Sequence, residues 1–124
     1  KDNVLYAGAD VRYSVLGNWN LSETYNDGSS FRVVLTFAGT QTGGTVTDSD
    51  GGAGTFEFAD DTVDFNLVFP DVTYEYAGGD FDDENTLSGT CKRYQDKDTA
   101  VSGTWTATRI TGSTAATSFG GTQG

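Results

Sequence analysis

The chain has 124 residues, a length that suits one domain with one hydrophobic core. Its formal charge is −11 with only seven basic residues, which excludes the basic face that nucleic acid or an anionic membrane surface requires. Histidine is absent and cysteine occurs once, which excludes Ser-His-Asp chemistry, haem-His ligation, typical zinc sites and an internal disulfide.

Eight Phe, six Tyr and two Trp supply much of the core, and 17 Gly with a single Pro mark frequent turns. Strong helix formers are scarce, so the composition predicts an all-β chain. No run of about 20 apolar residues exists, so no membrane-spanning helix is expected. The acidic, Thr/Ser/Gly/Asp-rich make-up fits an extracellular or periplasmic, cell-envelope setting after removal of a leader, with a cytoplasmic setting as the alternative.

Residues 1–14 are mixed, and Val4, Leu5, Tyr6, Val11 and Tyr13 suit a short strand or turn over one end of the fold. The first long strand is predicted over 15–25, with Val15, Gly17, Trp19 and Leu21 inward. Gly17 lets another part of the chain come close beside the indole. Continuing by twos brings Glu23 and Tyr25 to the same face. A turn cluster follows over 26–30, then a strand over 31–38 in which Phe31, Val33, Leu35 and Phe37 alternate.

A loose Gly/Thr turn is predicted over 39–44 and a short strand over 45–47. Asp48-Ser49-Asp50-Gly51-Gly52 turns the chain again. The fourth strand, 55–59, places Phe56 and Phe58 on one side. Asp60-Asp61 is a tight turn. Over 62–69, Val63, Phe65, Leu67 and Phe69 alternate with polar residues, and Pro70 ends the ladder. The sixth strand, 72–77, sets Val72, Tyr74 and Tyr76 one way. An acidic loop is predicted over 78–85, a seventh strand over 86–94, a turn over 95–99 and an eighth strand over 100–110. The remaining 111–124 reads as a flexible Gly/Ser/Thr-rich tail after a single domain over 1–110. Short turns between clean period-2 strands predict an antiparallel meander. Its closed form is an eight-stranded up-and-down barrel, in which the Trp19 strand pairs with the Trp105 strand.

Gly17-Asn18-Trp19 resembles the Gly-x-Trp signature of the calycin superfamily, which includes lipocalins, fatty-acid-binding proteins and avidins. In lipocalins a basic residue late in the last strand packs across that tryptophan, and Arg109 stands at that place. The run 102–109 is similar to the closing strand of short bacterial lipocalin-like proteins. The resemblance spans about residues 15–110. It implies the barrel fold and, by analogy, binding of a small hydrophobic or amphipathic ligand inside it. The chain departs from the larger relatives in showing no helix after the barrel and no helical lid after the first strand. Avidin-like biotin contacts have no counterpart here.

Trp19 and Arg109 are expected to form a cation–π seal at one end, with Gly17 giving room. At the opposite mouth, Glu23 and Arg93 fall on inward faces. A buried charge needs a partner, so they are expected to pair or to meet a polar ligand group; a register shift that sends both to solvent is the alternative. Tyr25, Phe31, Phe56, Phe69, Tyr74 and Trp105 are placed near that mouth, where they either line a pocket or fill the barrel. With Glu23 and Arg93 they make up the candidate ligand-binding set. Cys91 reads as a small buried apolar residue, since no histidine can activate it. Two acidic stretches, Asp48-Ser49-Asp50-Gly51 and Asp80 with Asp82, Asp83 and Glu84, are weighed as calcium loops against solvated hairpin tips; neither carries a full ligand pattern, so no metal or cofactor is assigned. The leading expectation is a non-enzymatic binding barrel. A cyclase or isomerase that draws acid–base groups from Glu23, Arg93 and one tyrosine is the second, and a filled structural or surface-interaction module the third. Oligomeric state is left open.

Overall fold

The computed structural model describes residues 13–96 and 99–110. The short N-terminal strand or turn, most of which falls in 1–12, and the tail over 111–124 lie outside them. The described chain forms β1 (Gly17–Tyr25), β2 (Ser30–Thr40), β3 (Gly43–Asp48), β4 (Ala53–Ala59), β5 (Thr62–Val68), β6 (Thr73–Asp83), β7 (Thr86–Asp96) and β8 (Thr99–Arg109). Each strand pairs antiparallel with its sequence neighbour, and β1 pairs with β8, so the sheet closes into a barrel. The closing register sets Asn20 against Thr108, Ser22 against Thr106 and Glu23 against Trp105. The meander barrel expected from the alternation is therefore the fold observed.

The period-2 pattern explains the core. Along β1 the buried residues are Trp19, Leu21, Glu23 and Tyr25, with exposed Asn20 and Thr24 among the positions between them. On β5 the buried set is Val63, Phe65 and Leu67. A column of rings fills the middle: Phe37 meets Phe56 and Phe65 edge-on at 5.2 Å, Phe65 stacks on Tyr76 at 4.3 Å, and Trp105 packs edge-on against both. The question of a hollow or filled interior is thus answered at the centre by rings in contact.

Two readings of the chain are corrected. The sixth strand does not stop at Ala77; β6 runs on to Asp83, and only Glu84 and Asn85 turn. The reason lies at a glycine pair. Gly78 takes φ +63, its N–H donates to Asp64 Oδ1 at 2.9 Å, and the β6–β7 register slips between Ala77 and Asp80. At Gly79 a Cβ would come within 2.7 Å of both Trp105 and Val63, so the indole occupies the space a side chain would fill. Beyond that bulge the alternation resumes, with Phe81 turned inward and Asp80 and Asp82 exposed. The acid content of this stretch belongs to a strand's outer face. The turn expected over 39–44 also shrinks to Gln41 and Thr42, because β2 and β3 pair up to Thr40 and Gly43. A Cβ at Gly44 would lie 2.1 Å from the Ala38 carbonyl oxygen, so only glycine permits that approach.

The meander gives the barrel two distinct ends. β1 begins at the end that holds Trp19 and finishes at the other with Tyr25. The turns 26–29 and 48–52 and the connection 69–72 gather around that second end, the mouth.

Candidate functional site

At the first end, Trp19 is fully buried and its indole N–H donates to the Val15 carbonyl at 2.9 Å. The Arg109 guanidinium lies over the ring, 4.3 Å from its centroid. Its Nη2 donates to the carbonyls of Ser14 (2.6 Å) and Glu84 (3.1 Å), and Nη1 to that of Leu16 (3.2 Å). One side chain thus ties the start of β1 to the β6–β7 turn. Partial burial lowers its basicity below the usual value. Phe81 packs beneath, 6.2 Å from Trp19 and 5.2 Å from Tyr13. Among the described residues, these N–H groups of Trp19 and Arg109 all meet backbone carbonyls, and together they stopper this end.

At the mouth, Glu23 and Arg93 both point inward, with 3% and 9% of their surface exposed. The pairing expected between them is not formed. Glu23 is met first by two hydroxyls. Tyr25 donates to Oε1 at 2.5 Å, and Tyr76 approaches Oε1 at 2.9 Å and Oε2 at 3.1 Å. Arg93 instead reaches the β1–β2 turn, where Nη2 contacts Asp27 Oδ2 at 2.6 Å and Nη1 donates to Ser29 Oγ at 2.8 Å. Its guanidinium lies 4.9 Å from the Tyr25 ring centroid and 5.9 Å from that of Phe31. The Arg93 Nε is buried and has no hydrogen-bond partner among the described residues.

Titration follows these contacts. Burial pushes the Glu23 carboxyl above the usual range; the two tyrosine hydroxyls and Arg93 pull it back, and nearby Asp48 adds to the rise. Burial together with Glu23 pushes Tyr25 and Tyr76 far up, and burial raises Tyr74. Hydrogen bonds from Ser29 and Arg93 hold Asp27 well below the usual carboxylate range. Burial lifts the Cys91 thiol to about 11, which disfavours its thiolate at neutral pH.

A cavity of about 40 Å³ lies beside Glu23, bounded by Phe31, Val33, Asp48, Asp50, Phe69, Tyr74 and Tyr76. Tyr74 is the hub of its wall, with ring centroids 5.7 Å from Phe69, 6.3 Å from Phe31, 6.2 Å from Tyr25 and 6.4 Å from Tyr76. Pockets for drug-sized molecules run to roughly 300–1,000 Å³ and one water needs about 10–15 Å³ of such space, so this cavity has the size of a small polar head group. A larger depression of about 620 Å³ lies on the barrel's outer flank among exposed Thr55, Glu57, Asp64 and Glu75. It is open to solvent, and Glu23 does not border it.

Of the candidate ligand-binding residues, Glu23, Phe31, Phe69 and Tyr74 meet around the cavity, with Tyr25 and Arg93 directly behind. Phe56 and Trp105 do not border the cavity. Phe56 packs on Phe37 in the core, and the Trp105 indole donates to the Thr90 carbonyl at 3.0 Å. Tyr76, Val33, Asp48 and Asp50 belong to the lining as well. Tyr76 is signalled by its alternation with Tyr74, whereas Asp48 enters only through its register opposite Leu35. Neither acidic stretch is arranged as a calcium loop. Asp48 Oδ1 is spent on the N–H groups of Asp50 and Gly52, and Asp80, Asp82 and Asp83 lie on β6. Among the described residues no group of three or more His, Cys, Asp or Glu is placed to hold a metal ion.

No protein-family model matches the chain. No curated protein matches it either. Solved structures do, designed barrels among them. EF1p2_mFAP2b bound to DFHBI superposes with a TM-score of 0.64 at 18% identity, over 77% of this chain and 94% of that one. The redesigned barrel mFAP1, also bound to DFHBI, gives 0.62 at 19% identity over 77% and 94%. A de novo designed fluorescence-activating barrel gives 0.61 at 17% identity over 77% and 93%. At such identities the likeness is one of fold.

Proposed function

We propose that this chain is a calycin-like binding barrel whose mouth takes a small amphipathic molecule. The polar end of the guest enters beside Glu23, and its apolar part rests on Phe31, Phe69 and Tyr74. The observation that carries this reading is a buried carboxylate, bracketed by two tyrosine hydroxyls, beside a ring-lined cavity at the end that is not stoppered. Two barrels of the same fold are bound to DFHBI, which supports a ligand role for this architecture. Titrating isotope-labelled protein with benzyl alcohol tests it by NMR. Amide shifts confined to the neighbourhood of residues 23–33, 48–52 and 69–76, weakened in Tyr74→Ala, are expected. Shifts centred on Trp19, or none with either benzyl alcohol or benzylammonium, would rule the mouth out.

A second reading, a cyclase or isomerase, is favoured by one observation: the Glu23 carboxyl is raised beside two hydroxyls, as an acid–base group requires. It predicts that a guest molecule leaves chemically changed, and that Glu23→Gln stops the change while binding persists.

A further inference from the structure

The lining of the cavity is more selective than an apolar cup. Three carboxylates border it, Glu23 from β1 with Asp48 and Asp50 from the β3–β4 turn. The rings of Phe31, Phe69, Tyr74 and Tyr76 make up most of the rest. Among the described residues, the cation nearby is already engaged: Arg93 is held by Asp27 and Ser29 and does not border the cavity. The groups that face Glu23 are therefore the hydroxyls of Tyr25 and Tyr76, the phenol of Tyr74, the thiol of Cys91, and the charges of Asp48 and Arg93.

Hydrogen-bond capacity points the same way. An ionised carboxylate accepts about four hydrogen bonds, and a phenol donates only one. Tyr25 and Tyr76 thus supply two protons to Glu23, and Tyr76 divides its own between the two oxygens. Acceptor capacity is left on a residue that is only 3% exposed to water. The group that answers such a carboxylate is a compact donor with several N–H bonds and a positive charge. An ammonium fits a space of about 40 Å³. Ring faces beside it add cation–π attraction. The overall charge of −11 raises the local concentration of cations around the mouth.

Building on the mouth as a ligand site, we infer that the guest is a small primary amine, its ammonium in the cavity against Glu23 and its apolar portion on the rim rings. Benzylammonium and benzyl alcohol, which differ at that one group, are the probes. By calorimetry or NMR titration at neutral pH and low salt, benzylammonium should bind about ten-fold more tightly than the alcohol. Glu23→Gln should abolish that preference. Asp50→Asn, at an exposed position whose change leaves the core untouched, should narrow it about two- to three-fold. Equal affinity for the two probes overturns the amine assignment while leaving the mouth a binding site. Binding of neither overturns both readings. A preference unchanged in Asp50→Asn and unchanged by added salt overturns the assignment even where Glu23→Gln fails to fold.

Discussion

The two ends of this barrel solve the same problem in opposite ways. Each sets an arginine against aromatic rings. At the Trp19 end, Arg109 turns its N–H groups to backbone carbonyls of Ser14, Leu16 and Glu84, and the contacts close on themselves. At the mouth, Arg93 reaches a side chain on a turn, Asp27, and keeps one nitrogen without a partner among the described residues. Among the described residues, the carboxylate beside it is held by the hydroxyls of Tyr25 and Tyr76. The first arrangement ties the segment before β1 to the β6–β7 turn through one guanidinium set over a fully buried indole, so its parts hold one another in place. Side-chain partners on turns adapt, so the second can accept a newcomer.

The largest expected difference between the ends is in stability. Trp19→Ala should cost about 3–5 kcal/mol, the range for removing a large buried aromatic, whereas Phe31→Ala at the rim, 40% exposed, should cost about 1 kcal/mol. Urea unfolding measures both, and equal costs would erase the distinction. Next comes Arg109→Ala, at about 1–2 kcal/mol for a partly buried cation–π contact and its hydrogen bonds. Its benzyl alcohol affinity should match that of the parent under folding conditions. Identical melting temperatures for mutant and parent would contradict the stopper.

The pH response sharpens the contrast further. Glu23 is raised in the folded state, so the folded protein holds its proton more firmly than the unfolded chain does. Stability from this group therefore falls as pH rises from the ordinary glutamate range through the raised value. Asp27 is depressed, so its contribution is present above the ordinary aspartate range and is lost as pH falls through it to the lowered value. Melting temperature against pH should lose its decline on the rising side in Glu23→Gln and its acid-side drop in Asp27→Asn. The smallest effect is chemical. With its thiol at about 11 and only 3% exposed, Cys91 should stay inert to a thiol-specific reagent at neutral pH until the barrel unfolds.

The barrel is legible in the sequence because alternation is a local signal and closure follows from it. Trp19 and Trp105 both read as inward from their own strands, and the meander then has to join β1 to β8. Glu23 and Arg93 are legible as inward for the same reason. Their partners are not. Which hydroxyl reaches Glu23 depends on β6 standing across the interior from β1, a distance that alternation does not encode. The β6 extension is hidden by composition. Asp80, Asp82, Asp83 and Glu84 suggest a loop, while the glycine pair that restores the strand makes sense only once the Trp105 ring lies over Gly79. Phe56 and Trp105 stay out of the cavity wall because period 2 gives the face of a residue and not where its ring reaches: Trp105 pairs with Glu23, yet its indole turns to Thr90 and lies against Gly79.

The positions of the two indoles have a practical corollary. One is locked under Arg109 at the stopper; the other abuts Tyr76, whose hydroxyl grips the mouth carboxylate. The molecule therefore carries one intrinsic fluorophore at the stopper and another in the central column of rings, one side chain away from the mouth carboxylate. Replacing either tryptophan by phenylalanine leaves a single emitter. Occupancy at one pole and fraying at the other can then be followed optically in separate samples without any attached dye.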